Sequence, residues 1–394
     1  MSEASRAHDH APRTVLVTGA MGQVGARLTT LLLERNQRVV AVDLDTEHGR
    51  TTAVLLAPGR GQPGDLVPTF ADITDADAVQ ALVRRETPDA IIHLAEVVSP
   101  SCYRDPEFAR RVNVDGTANL VAAACELRSP PDFVLASSSA VYGSRNPYRR
   151  LGRIGPETPT DPVDCYGWHK VAAERIVRDS GLRFTILRIG GIVSPEALAR
   201  SDADYLVLMR ATPRDNRVHM VDARDVALAF ANAVDRIESS TGQVLLIGGD
   251  ESCVHTHTSV QDDILEAIGL GRLGPSINLP GNPDDDLGWG LTDWFDTAGS
   301  QELLEFQQHT WTETLDWLAR SQGRRRTIMR TVAPIMRTAA RGLFAAQRRK
   351  ERRGPYADPW RLIQAIYGPD VLAHHASWER SRRSRRSERS AEPA

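Results

Sequence analysis

Three glycines, Gly19, Gly22 and Gly25, stand between a short apolar run, RTVLVT (13–18), and a stretch with helical spacing, ARLTTLLLER (26–35). Leu28, Leu31 and Leu32 mark the apolar side of that stretch, and RVVAVDLD (38–45) returns to a strand pattern. A strand that turns through glycine into a helix and then into a second strand is a β-α-β unit. Glycine allows the tight turn and lets backbone N–H groups approach a pyrophosphate at the positive end of the helix. Gln23 and Val24 complete the turn. Asp43 closes the second strand, where a carboxylate accepts hydrogen bonds from ribose hydroxyls and repels a 2′-phosphate. That chemistry favours NAD over NADP. Asp45 is the alternative ribose ligand, because strand ends read from pattern shift by a few residues.

The rest of the chain repeats the alternation. Strand-like runs occur at AIIHLA (90–95), DFVLASS (132–138), FTILRI (184–189) and QVLLIGG (243–249). Helical segments lie between most of them, at 75–86, 107–127, 166–179 and 224–237. The expected fold is therefore α/β, a Rossmann-type doubly wound parallel sheet. Residues 45–68 are rich in Gly and Pro and read as a loop, as do residues 269–290. No apolar run approaches the roughly 20 residues that span a bilayer, and the polar N-terminus has no apolar core of a secretory signal. Four scattered cysteines fit reduced thiols and a cytoplasmic location better than a disulfide framework. His255 and His257 lie near Cys253 without further ligands at metal spacing, so no metal site is expected.

The chain has 394 residues, and all but two of its 48 basic side chains are arginine. One of the two lysines, Lys170, lies four residues after Tyr166 in DCYGWHK (164–170), so a helix would put both on one face. Together these pieces resemble the extended short-chain dehydrogenase/reductase superfamily, the NAD-dependent epimerase/dehydratase group. The matching motifs follow in the family's order: TGAMGQVG (18–25), VDLD (42–45), ADIT (71–74), HLAE (93–96), NVDGT (113–117), ASSSAVYG (136–143), PETPTDPVDCYGWHK (156–170), LRIGGIVSP (187–195), HMVDARDVA (219–227) and WFDTAGSQELLEF (294–306).

The resemblance covers about residues 13–320. It implies a catalytic domain there, a Rossmann core whose small substrate subdomain comes mainly from 190–320, after a disordered N-terminus (1–12). It also implies that Asp72 and Ile73 flank the adenine, and that Leu94, Ala95 and Glu96 line the pyrophosphate and nicotinamide ribose. Asn113 supports the active-site backbone. Ser138 is the catalytic hydroxyl, with Ser139 its nearest rival, and Tyr166 and Lys170 are the catalytic pair that also touches the cofactor.

A free tyrosine has a pKa of about 10, too high for a base at neutral pH. Lys170 and the charged nicotinamide are expected to lower it. The implied activity is NAD-dependent epimerisation of a nucleotide-sugar-like substrate by transient oxidation, with Tyr166 as base. The alternative is a dehydrogenase or reductase of another hydroxy or keto substrate, uronate- or sterol-like, and a non-catalytic regulator is a remote third. Departures from the family narrow this. No carboxylate follows Ser138, which argues against dehydration. LRIGGI lacks the asparagine typical of nucleotide-sugar enzymes, and Arg210, Arg214 and Arg217 are left as the candidate anion clamp. Glu96 replaces a common alanine and either selects a substrate group or faces solvent.

Beyond residue 320 the balance of charge reverses. Residues 321–394 hold 18 basic and 6 acidic side chains, leaving 30 and 45 in the body. Residues 326–349 have helical periodicity, with Ile328, Val332, Ile335, Ala339 and Leu343 on one side and Arg330, Arg337, Arg341 and Arg348 on the other. Such a helix docks its apolar side on its own body or on a second subunit of a homodimer, or lies peripherally on an anionic membrane. Pro334 is expected to kink or interrupt it. No nucleic-acid-reading motif accompanies the charge. The end of the chain, SRRSRRSERSAEPA, reads as disordered.

Overall fold

The structure, a computed structural model, describes residues 12–57, 63–199 and 203–372. The expected disorder of the N-terminus and of the last arginine-rich segment falls outside these residues, apart from residue 12. Seven parallel strands form the central sheet: β1 (Thr14–Thr18), β2 (Arg38–Asp43), β3 (Asp65–Phe70), β4 (Ala90–His93), β5 (Asp132–Ser138), β6 (Phe184–Ile189) and β9 (Val244–Ile247). Their order is β3-β2-β1-β4-β5-β6-β9. The chain reverses its direction of winding between β1 and β4. In open α/β sheets that switch opens a crevice beyond the carboxyl ends of the strands.

Both faces of the sheet are covered, which is why its strands read as continuous apolar runs. Val15 and Val17 pack on one face with Leu28 and Leu32 of helix Gln23–Glu34 and with Phe230 and Val234 of helix Ala223–Asp235. Leu16 points to the other face, against Val79 and Leu82, Leu120, and Val177 of helix Cys165–Arg178. A fully buried aliphatic side chain of this kind contributes roughly 1.5–3 kcal/mol.

Two elements within 45–68 correct the loop reading. Thr46 caps a helix, Glu47–Leu56, by accepting a hydrogen bond from Gly49 N at 3.0 Å, and β3 begins at Asp65. The strand was obscured because it carries Pro68 and little buried apolar surface. An edge strand tolerates both, since one side of its backbone has no ladder to complete. The predicted helix 107–127 is continuous but contains a π turn, Arg111–Asp115, that carries Asn113. Such turns often occur where a helix serves a functional site.

After β6 the chain builds a smaller body. A three-stranded sheet, β7 (Gly191–Val193), β8 (Arg217–Asp222) and β10 (Val254–Thr256), has the order β10-β8-β7, and β10 runs antiparallel to β8. Helix His257–Ala267 and the irregular residues 269–290 complete it, the latter as expected from their composition.

The charge boundary near residue 320 is not a packing boundary. Trp360, Leu362 and Ile363 of helix Pro359–Tyr367, together with Val371, bury against Cys102, Tyr103, Cys165 and Tyr166. The long helix Arg324–Lys350 passes through Pro334 without ending. Flanking contacts explain this: Ala333 is buried, and Arg337 is fastened to the Leu270 carbonyl at 3.3 Å. Tertiary anchoring here outweighs the hydrogen bond that proline removes. The same helix inverts a second expectation, because its arginine side, not its apolar side, faces the body.

Candidate active site

The glycine turn has the shape of a cradle. Gly19 adopts φ +69°, and a Cβ there would lie 2.9 Å from Ala95 N. A Cβ on Gly25 would meet the Gly19 carbonyl at 2.1 Å, so any side chain would prise the helix from the strand. Gly22 donates to Gly19 O at 3.1 Å and opens the helix Gln23–Glu34, whose N-terminal amides receive no side-chain cap. This is a positive helix end with uncommitted donors. Val24 is buried in the core, while the Gln23 side chain accepts from Ser194 Oγ at 2.7 Å and ties the turn to the residue following β7.

The acidic residues named from sequence separate clearly. Asp43 accepts from Met21 N and Leu44 N, both at 2.8 Å, and so braces the glycine turn. Asp45 is exposed and held by Arg50 at 2.6 Å, away from that turn. Asp72 receives the Thr74 amide and hydroxyl at 2.9 and 2.8 Å, and Ile73 packs where a Cβ on Gly116 would have to go.

A buried relay beneath the crevice was not legible as function. Thr18 Oγ1 accepts from Leu94 N and Ala95 N, both at 3.2 Å, so its own hydrogen goes to His93 Nδ1 at 2.7 Å. His93 Nε2 then donates to Thr117 Oγ1 at 3.0 Å, and Thr117 donates to Asn113 O at 2.8 Å. Burial drives the His93 pKa down to about 3, with the Lys170 charge adding to the effect, so the ring is neutral and structural. Asn113 exchanges two hydrogen bonds with Val97, Nδ2 to O at 2.9 Å and N to Oδ1 at 2.7 Å. This relay fixes the segment Leu94–Val97, the wall opposite Gly19. Thr18 and Thr117 both lie inside quoted motifs, but their spacing gave no sign of a shared partner.

The predicted catalytic residues converge. Asp164 caps the helix Cys165–Arg178 through Gly167 N at 2.9 Å, which places Tyr166 and Lys170 one turn apart at its start. Lys170 Nζ donates to Ala136 O at 2.8 Å and lies 5.8 Å from the centre of the Tyr166 ring. Ser138 ends β5, takes the Ala140 amide at 3.2 Å and lies beside the Tyr166 phenol, whereas Ser139 is buried. Glu96 completes the group: it accepts from Tyr166 OH at 3.0 Å and is ion-paired with Lys170. Glu96 thus does not simply face solvent, since its carboxylate is engaged by Tyr166 and Lys170. In the protein alone, the lowering of the phenol pKa expected from Lys170 and a charged nicotinamide together is opposed. Burial first, and the charge and hydrogen bond of the Glu96 carboxylate second, push it well above its ordinary value.

A model of the NAD-dependent epimerase/dehydratase family matches residues 15–248, more than half of the chain. The chain belongs to the NAD-dependent epimerase/dehydratase family. NAD is therefore its cofactor, and the cradle of Gly19 and Gly25 with its uncapped helix suits that group's pyrophosphate. Among curated relatives, UDP-arabinose 4-epimerase 1 of Arabidopsis thaliana is 28% identical over 198 residues, 49% of this chain and 46% of that protein. D-erythronate dehydrogenase of Cupriavidus necator is 29% identical over 176 residues, 43% and 51% of the two chains. The chain thus spans about half the length of the curated relatives it matches. A UDP-glucose 4-epimerase from Thermotoga maritima, solved with UDP-glucose, shares the fold with a TM-score of 0.63 at 19% identity, covering 80% of this chain and 99% of that one.

Two of the three arginines proposed from sequence as an anion clamp are committed elsewhere. Arg210 pairs with Glu351 at 2.9 Å. Arg217 donates to the Arg150 and Pro147 carbonyls and lies over the Trp294 ring at 4.4 Å. Arg214 is exposed.

Proposed function

We propose that the protein is an NAD-dependent epimerase of a nucleotide-sugar-like substrate, with Tyr166 as base and Ser138 and Lys170 as its partners. The observation that supports this most is the convergence of Ser138, Tyr166 and Lys170 at one lip of the crevice whose other lip is the glycine turn. Ser138 positions the substrate oxygen, and the Tyr166 phenolate takes the proton from it. Lys170 holds the phenolate by charge and orients the nicotinamide ribose, while Asp43 addresses the adenosine ribose. Leu94 and Ala95 line the pyrophosphate, and Asp72 and Ile73 the adenine. Bound in this crevice, NAD supplies the hydride acceptor and, in an epimerase, the source from which the same hydride returns. Glu96 must exchange its hold on Tyr166 and Lys170 for hydroxyls of substrate and ribose, which makes it a selector at the entrance.

A dehydrogenase of a smaller hydroxy acid or uronate is the second reading, favoured by the commitment of Arg210 and Arg217 to the protein itself. Denaturing the purified protein and assaying the supernatant for NAD separates the two. Stoichiometric retained cofactor, with interconversion of a UDP-sugar panel, is expected. An empty enzyme that reduces added NAD⁺ with a sugar acid would replace epimerisation by oxidation.

A further inference from the structure

The helix Arg324–Lys350 lies on the body by its charged side and leaves its apolar side outward. Arg326 Nε donates to Ala267 O at 2.7 Å, Arg341 Nε to Leu273 O at 3.0 Å, and Arg348 Nη2 to Ser276 O and Ile277 O, both at 2.9 Å. These carbonyls end the helix His257–Ala267 and line the loop after it, an anchor natural to cations. On the opposite side Ile328, Ile335 and Leu343 are 64%, 76% and 70% exposed, and Val332 and Met336 continue the stripe. At 100° per residue Arg325 and Lys350 fall on this same outward side, one at each end. The 27 residues include eight arginines, one lysine and no acidic residue.

We propose that this stripe seats the protein on a bilayer surface that carries anionic headgroups. An unpartnered apolar stripe five side chains long needs a cover. A second copy of the helix would bring the outward Arg325 and Lys350 toward the same cations of its partner, with no acidic residue on either helix to offset them, which like-charge repulsion opposes. An anionic bilayer satisfies both features together: the stripe enters the boundary between headgroups and acyl chains, and Arg325 and Lys350 reach the phosphates along their apolar stems. The helix lies in the plane of the surface, since no helix among the described residues is long and apolar enough to cross a membrane.

Flotation of the full-length protein with vesicles tests the assignment. Wild type should float with a phosphatidylcholine–phosphatidylglycerol mixture and stay behind with phosphatidylcholine alone. I335D/L343D changes two side chains that are largely solvated, and should lower the partition by about tenfold or more, with NAD binding unchanged as the control for folding. The pair R325E/K350E, also exposed, should weaken binding to the anionic vesicles alone. Absence of flotation by wild type would overturn the proposal. So would I335D/L343D floating as well as wild type, which would assign the binding to arginines elsewhere. A wild-type dimer that I335D/L343D converts to monomer, with neither floating, would assign the stripe to a second copy.

Discussion

Glu96 Oε2 accepts the hydrogen of the Tyr166 phenol at 3.0 Å while the same carboxylate pairs with Lys170. The carboxylate therefore opposes ionisation twice, by stabilising the neutral phenol directly and by neutralising the cation that would favour the phenolate. Glu96→Gln removes the negative charge and keeps a hydrogen-bonding group. In the oxidising direction the rate rises as Tyr166 loses its proton, so that limb of the profile of kcat/KM against pH should move to lower pH. An unmoved limb would mean that Glu96 does not govern the ionisation of Tyr166 in the free enzyme.

Tyr166→Phe keeps the ring in its packing against Cys102 and Trp360 and removes the hydroxyl proposed as proton acceptor. Turnover should fall by about 10²–10⁴-fold, the range for a positioned acid–base group. NAD binding, followed by fluorescence titration, should change little. Lys170→Arg should not rescue the function, because a guanidinium cannot reproduce the compact ammonium that reaches Ala136 O.

A buried ion pair holds the helix Cys165–Arg178 to the sheet. Arg188 of β6 makes two bonds to Glu174, at 2.8 and 2.6 Å, while Ser137 of β5 donates to Glu174 at 2.6 Å and Arg188 donates to Tyr142 OH at 2.7 Å. Glu174→Ala would leave the Arg188 guanidinium buried and unpaired. Equilibrium denaturation should show a loss of about 3–5 kcal/mol. The apolar double variant E174L/R188M should recover most of that loss, which separates an uncompensated charge from lost packing.

Trp360 was out of reach of the sequence pattern, lying in a segment whose arginines suggested a tail apart from the body. Its ring packs beside Tyr166 and its Nε1 donates to Ser144 Oγ at 2.9 Å. Trp360→Ala should cost about 3–5 kcal/mol, as large aromatic truncations in a core do, read from the same denaturation curves.

The sheet could be read in advance because buried parallel strands are apolar on both faces and the glycine turn tolerates few other residues. β3 could not, since an exposed edge strand containing Pro68 has neither signature. At the site, Tyr166 and Lys170 announced themselves through helical spacing. Glu96 was placed near them by resemblance alone. Its pairing with them was not legible, because they lie 70 residues or more away and meet it only where the segment after β4 approaches the helix Cys165–Arg178. The long helix shows the same limit. Its two sides were legible from periodicity, but which of them faces the protein is decided by the free carbonyls that end a helix about 60 residues earlier.

Asp164 makes the stability of the catalytic helix depend on pH. The carboxylate is fully buried, caps the helix at Gly167 N and receives the Tyr103 hydroxyl at 2.7 Å. Burial outweighs those hydrogen bonds and lifts its pKa to about 6, against 3.8 for the exposed group. Because the folded value is raised, the native state binds more protons than the unfolded chain between these two pH values. This group's contribution to stability is thus complete below the lower value and declines as pH rises through the upper one. The difference corresponds to roughly 3 kcal/mol at 1.36 kcal/mol per unit. Asp164→Asn retains an acceptor for Gly167 N and does not titrate. Stability measured against pH should decline less steeply between pH 4 and 6 in this variant than in wild type. Parallel curves over that interval would show that the proton sits elsewhere.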